Sequence, residues 1–273
     1  MKRAEASNKA VMPSQTIEGL QRVLEFEKWP LKELFIPGFS PKTVLTSSIA
    51  GYTLEHETLL PVNASWVGRR YFYSQPESRS ALALTVIVGQ QSAKDAAQGL
   101  VLQLFYTEMH SEPHVNFSAP PFGDVTIYRD PQSKQTIAFI RNNVGISIDN
   151  YSSGRKPLDL ERIAKEVDLR LQGSKTVPAL GDHPDSPRIT RFEPKSQTVH
   201  PGERTDLEIE VKDNHPPLQY QFQVENGSYN LDPKQNDRWY FRAGPAKGEA
   251  ELTLTIVNEI NLMAVRQLSI TIA

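Results

Sequence analysis

The chain has 273 residues, a formal charge of -2, 38% hydrophobic residues and no cysteine. That length suits two units of roughly 100 to 150 residues, each able to bury its own core. The near balance of charge removes any electrostatic pull toward nucleic acid, and the missing cysteines exclude disulfides, thiolate catalysis and thiolate zinc sites.

Met1-Lys2-Arg3 has the basic start of a signal peptide, but no apolar stretch follows it. The longest apolar run, around residues 81–88, falls well short of the roughly 20 residues of a membrane helix. Zero cysteines fits bacterial export better than a reducing cytosol, so the expectation is an extracytoplasmic protein whose leader has been removed. Residues 1–45 read as a mobile arm followed by a short helix. In that helix Ile17, Leu20, Val23 and Leu24 fall at helical spacing, Ser14 or Thr16 can cap, and Pro30 stops it. Leu34, Phe35, Ile36 and Phe39 follow, broken by Pro37 and Pro41, and this sticky stretch is expected to pack on the protein or on a partner.

Residues 46–173 mix strand and helix signals, which predicts an α+β unit built on a mostly antiparallel sheet with two helices. Strands are expected at 67–73, 81–88, 124–128, 136–141 and 144–149, with 81–88 apolar on both faces and therefore central. Ala93, Ala96, Ala97, Leu100, Val101, Leu104 and Phe105 form one helical stripe, with Ser92 as its cap. Leu160, Ile163, Ala164, Val167 and Leu171 form another, closed by Gly173 as a C-cap glycine. The two helices can cover one face of the sheet, which leaves the other exposed or covered by the N-terminal helix or a partner. Asn142-Asn143 reads as a hairpin turn. Residues 174–187, with three prolines and no periodic apolar residues, read as a solvated linker.

Residues 188–273 alternate with a period of two. Leu207, Ile209 and Val211 share one face, and so do Leu218, Tyr220, Phe222 and Val224, then Leu252, Leu254 and Ile256, then Leu268, Ile270 and Ile272. A stack of two sheets follows from that pattern, with Asn226-Gly227-Ser228 as a tight hairpin turn. The run Val211-Lys212-Asp213-Asn214-His215-Pro216-Pro217-Leu218-Gln219-Tyr220-Gln221-Phe222 resembles the B to C corner of bacterial immunoglobulin-like modules of the PKD and cadherin-like kind. The resemblance covers about residues 188–273 and implies an all-β immunoglobulin-like sandwich used for spacing, adhesion or docking. The chain departs from the antibody pattern in having Tyr220 where a tryptophan stands and no cysteine pair.

Candidate chemistry is sparse. Glu108, His110, Glu112 and His114 supply ligand types that zinc accepts, but Pro113 breaks the helix that would put both imidazoles on one face. Carboxylates for glycoside hydrolysis would come from Glu208, Glu210, Asp124 or Asp149, and the first two point outward on a strand. No nucleophile elbow or phosphate-cradling loop occurs. The aromatic runs Tyr71-Phe72-Tyr73 and Trp239-Tyr240-Phe241 leave Phe72 and Tyr240 facing outward as binding candidates, because neighbours on a strand face opposite ways.

These features predict a non-enzymatic docking or scaffold subunit of a bacterial envelope or surface complex, with no cofactor. Its expected partners are other proteins of that assembly, or a polysaccharide. The alternative is a polysaccharide-active or metal-dependent hydrolase accessory with its site in the N-terminal unit.

Overall fold

The computed structural model describes residues 16–37, 48–61, 65–75, 77, 80–106, 113–128, 135–151, 158–177, 183–232 and 235–273. Its architecture is mostly antiparallel sheet with three helices. The N-terminal block holds one sheet of eight strands: β1 (Ser48–Ile49), β2 (Tyr52–Leu59), β3 (Trp66–Gln75), β4 (Ser80–Gly89), β5 (His114–Asn116), β6 (Val125–Tyr128), β7 (Thr136–Arg141) and β8 (Val144–Asn150). Their order is β1-β2-β3-β4-β8-β7-β6-β5, so the doubly apolar β4 lies centrally, as its composition requires. Thr16 caps α1 (Ile17–Val23) through Gly19 N, Ser92 Oγ accepts from Asp95 N at the start of α2 (Ala93–Tyr106), and Asp159 caps α3 (Leu160–Gln172) through Arg162 N.

The helices do not share a face. Ile137, Phe139, Ile146 and Ile148 pack on Leu160, Ile163, Val167 and Leu171 of α3. Their strand neighbours Ala138, Ile140, Val125 and Ile127 pack on Leu100, Val101 and Leu104 of α2 and on Leu20 and Leu24 of α1. Both helices on one side would leave the other face open, but β7 is apolar at consecutive positions and β8 is buried on both faces, so the sheet has two faces to cover. Each fully buried Leu or Ile contributes about 1.5 to 3 kcal/mol on either side. Gly173 is the C-cap of α3 as expected, with its N–H bonded to the Leu169 carbonyl, but its φ is -75°, so the cap is not left-handed.

The C-terminal block contains two sheets. One is ordered β10-β16-β15-β12 and the other β13-β14-β11-β9, from β9 (Arg188–Pro194), β10 (Thr198–Val199), β11 (Arg204–Lys212), β12 (Gln219–Val224), β13 (Gly227–Asp232), β14 (Gln235–Ala243), β15 (Gly248–Val257) and β16 (Met263–Ile272). Phe192, Leu207 and Phe241 of one sheet meet Phe222, Leu252, Leu254 and Ile270 of the other in a single core. Asn226, at φ 55°, does make a tight reversal. It is not a hairpin turn, however: β12 and β13 belong to different sheets, and the corner carries the chain across the stack.

The stretch read as a solvated linker is anchored where it is described. Phe35 and Val177 exchange backbone hydrogen bonds at 2.9 and 2.8 Å and cluster with Ile260 and Leu262 of the C-terminal block. A second contact centres on Arg69, which is 2% exposed. Its guanidinium donates to Asn261 Oδ1, to the carbonyl of Asn258 at 3.0 Å and to Glu57 Oε1 at 2.9 Å. Gln90 Nε2 donates to the Asn261 carbonyl and Gln221 Nε2 to the Leu60 carbonyl, so polar groups from both blocks close the junction.

Candidate functional site

Strand register sets what stands beside what on the α2 side of the eight-stranded sheet. His56 opposes Phe72, Phe72 opposes Ala83, Ala83 opposes Asp149, and Asp149 opposes Thr136, which makes one row across five strands. The adjacent row runs Thr58, Arg70, Thr85, Ser147 and Ala138. Hydroxyls, a guanidinium and a carboxylate thus interrupt a surface that is otherwise apolar.

The inner end of these rows is buried and internally hydrogen-bonded. Thr136 Oγ1 donates to Asp149 Oδ1 at 2.7 Å, Ser147 Oγ reaches Asp149 Oδ2 at 3.3 Å, and Arg70 Nε donates to Thr85 Oγ1 at 3.1 Å. The outer end is aromatic and open to solvent. The His56 imidazole stacks on the Phe72 ring at 4.4 Å and 16°, and Tyr151, 54% exposed, meets Phe72 edge-on at 6.0 Å. Phe72 therefore faces away from the core that holds Tyr71 and Tyr73, as alternation predicts, but it is half-buried under these neighbours rather than bare.

Tyr240 likewise lies on the outer face of its sheet, opposite the side taken by Phe241. Arg204 covers its ring at 3.9 Å and reaches Asp206 at 3.2 Å, so this aromatic is already engaged in a cation–π contact. Glu208 and Glu210 point outward beside it, both toward Arg191. The sequence missed His56, Tyr151 and Arg70, which become neighbours of Phe72 only once the register of β2, β3 and β8 is known. Polar residues at alternate positions, Ser147 and Asp149 in β8 and Thr85 in β4, were the available signal.

The catalytic candidates do not converge. Asp124 pairs with Lys32 at 2.8 Å and accepts from Asn142 N. Its own backbone N–H bonds to Ile140, four residues along β7 from the Thr136 that Asp149 opposes. Four residues of strand span about 13 Å, beyond the roughly 5 to 9.5 Å that separates glycosidase carboxylates. His56 stands three strand steps from Asp149, about 14 Å at the usual spacing, too far for an acid–base pair. His114 is exposed at the start of edge strand β5, while Glu108, His110 and Glu112 lie outside the described residues. Among the described residues no three potential metal ligands come together.

No protein-family model matches the chain, and no curated protein matches it. A solved structure titled a polysaccharide lyase aligns at a TM-score of 0.21 and 7% identity, over 82% of this chain and 35% of its own length. The chain thus spans about a third of that protein, and a likeness so slight carries no argument.

Proposed function

We propose that the protein is a non-enzymatic docking subunit of a bacterial envelope or surface assembly, working outside the cytoplasm. The reading takes residues 46–173 as an α+β docking domain after the 1–45 arm, with 174–187 joining it to an immunoglobulin-like spacer at 188–273. The observation that carries it is the open aromatic group of His56, Phe72 and Tyr151, set by strand register beside hydrogen-bonded polar rows. Stacked rings present a large apolar area at little entropic cost, and polar groups beside them fix the orientation of what lands there. Buried carboxylates in the same block support the non-catalytic reading, since each is occupied in holding structure. Asp149 is held by Thr136 and Ser147, Asp124 by Lys32, and Asp168 by Arg141 and Gln172.

Affinity electrophoresis through gels containing soluble bacterial surface polysaccharides tests it. The wild-type protein is expected to be retarded by at least one of them, and Phe72→Ala to migrate freely with an unchanged melting temperature. The same mixtures should release no new sugar ends on long incubation. Turnover lost on replacing His110 and His114 with Ala would instead establish the metal-dependent hydrolase.

A further inference from the structure

A second site lies on the flank of α2, beyond the Thr58–Arg70 pair on the same side of the sheet. A cavity of about 350 Å³ opens between the helix and Leu60 and Pro61, which follow β2. That volume lies within the usual range of small-ligand pockets, roughly 300 to 1,000 Å³. Its wall on the helix side comes from Leu102, Gln103 and Tyr106, and its opposite wall from Leu60 and Pro61. Trp66, largely buried, contributes its indole, and Gly99 is why that ring fits. A Cβ at position 99 would stand 2.9 Å from Trp66 Cδ2 and 2.6 Å from Ile87 Cγ2. The Leu60 wall is itself fixed, because its N–H donates to the Gly68 carbonyl at 2.8 Å and its carbonyl accepts from Gln221.

The lining dictates the chemistry of the occupant. Among the described residues no acidic or basic side chain lines the cavity, so an ion entering it would lose hydration without a partner. A sugar fares little better. Its ring of hydroxyls would meet only the Gln103 amide and the Tyr106 hydroxyl, leaving most of them unpaired. A flat apolar ring with one polar edge satisfies both limits. It stacks against indole, proline and phenol, and its edge reaches Gln103.

We propose that this cleft binds a small uncharged aromatic molecule. Tyr106 is 69% exposed, so removing its ring leaves the core intact and takes away one wall of the cleft. Saturation-transfer NMR with three probes tests the assignment: indole, indole-2-carboxylate and methyl glucoside. Indole alone should give a transfer signal. Tyr106→Ala should weaken its binding about fivefold, and Leu102→Trp, which fills the cleft, should abolish it. Indole binding unchanged in both variants, a carboxylate or glucoside signal equal to that of indole, or no indole signal at all would overturn the proposal.

Discussion

Tyr71 and Tyr73 occupy the same strand two residues apart, and burial pushes both phenols well above the ordinary tyrosine range. The Tyr71 hydroxyl accepts from Asn261 Nδ2 at 3.5 Å, whereas the buried Tyr73 hydroxyl has no hydrogen-bond partner among the described residues. Folding therefore holds two protons that the unfolded chain releases near pH 10. Stability from this source is complete below that pH and is lost as pH rises from it toward the folded values. Alkaline titration followed by tyrosinate absorbance should show these two of the nine tyrosines ionising only as the protein unfolds. Tyr73→Phe, which deletes an orphan hydroxyl, should leave neutral-pH stability unchanged or raise it by about 1 kcal/mol, and should flatten the alkaline decline. A mutant that melts well below wild type at pH 7 would mean that the hydroxyl has a partner.

At the scale of elements, close approach of α2 to the sheet is bought with glycine. Gly99→Ala should cost about 1 to 3 kcal/mol through overpacking against Ile87 and Trp66, as read from denaturant unfolding, although alanine is the better helix former. An equally stable variant would show that the helix can slide. The same elements mark what was legible in the sequence. The stripes of α2 and α3 and the apolar run of β4 are local signals, and they placed their elements to within a residue or two. β2 escaped because a bulge between Leu54 and His56 shifts its alternation, so Tyr52 and Leu54 share a face with Glu57 and Leu59. Asn226 signals a tight reversal whether the next strand pairs with the last or crosses to another sheet, so local chemistry could not choose. The aromatic group around Phe72 depends wholly on non-local register, and only one of its three rings stood out beforehand.

At the scale of the whole molecule, the junction between the blocks is built like an interior. Arg69, Asn258 and Asn261 are all buried there, flanked by apolar contacts of Phe35 with Ile260 and Leu262 and of Val67 with Val257. Calorimetry should give one cooperative transition for the wild-type chain. Arg69→Ala removes the guanidinium that donates to the Asn258 carbonyl and to Asn261 Oδ1, and should cost about 3 kcal/mol while separating the melting of the two blocks. A single transition at the original temperature would assign the coupling to the apolar contacts alone.

Asn143 carries a further consequence. Its side chain, wholly buried at the tip of the β7–β8 reversal, accepts from Ile36 N at 2.7 Å and donates to the Gly89 carbonyl at 3.0 Å. One amide thereby buttons the incoming N-terminal segment to the central strand, immediately after Phe35 bridges to Val177. Tension applied upstream of residue 35 would be delivered to the middle of the sheet and across to the far block instead of peeling an outer layer, the behaviour expected of a strut rather than a tether.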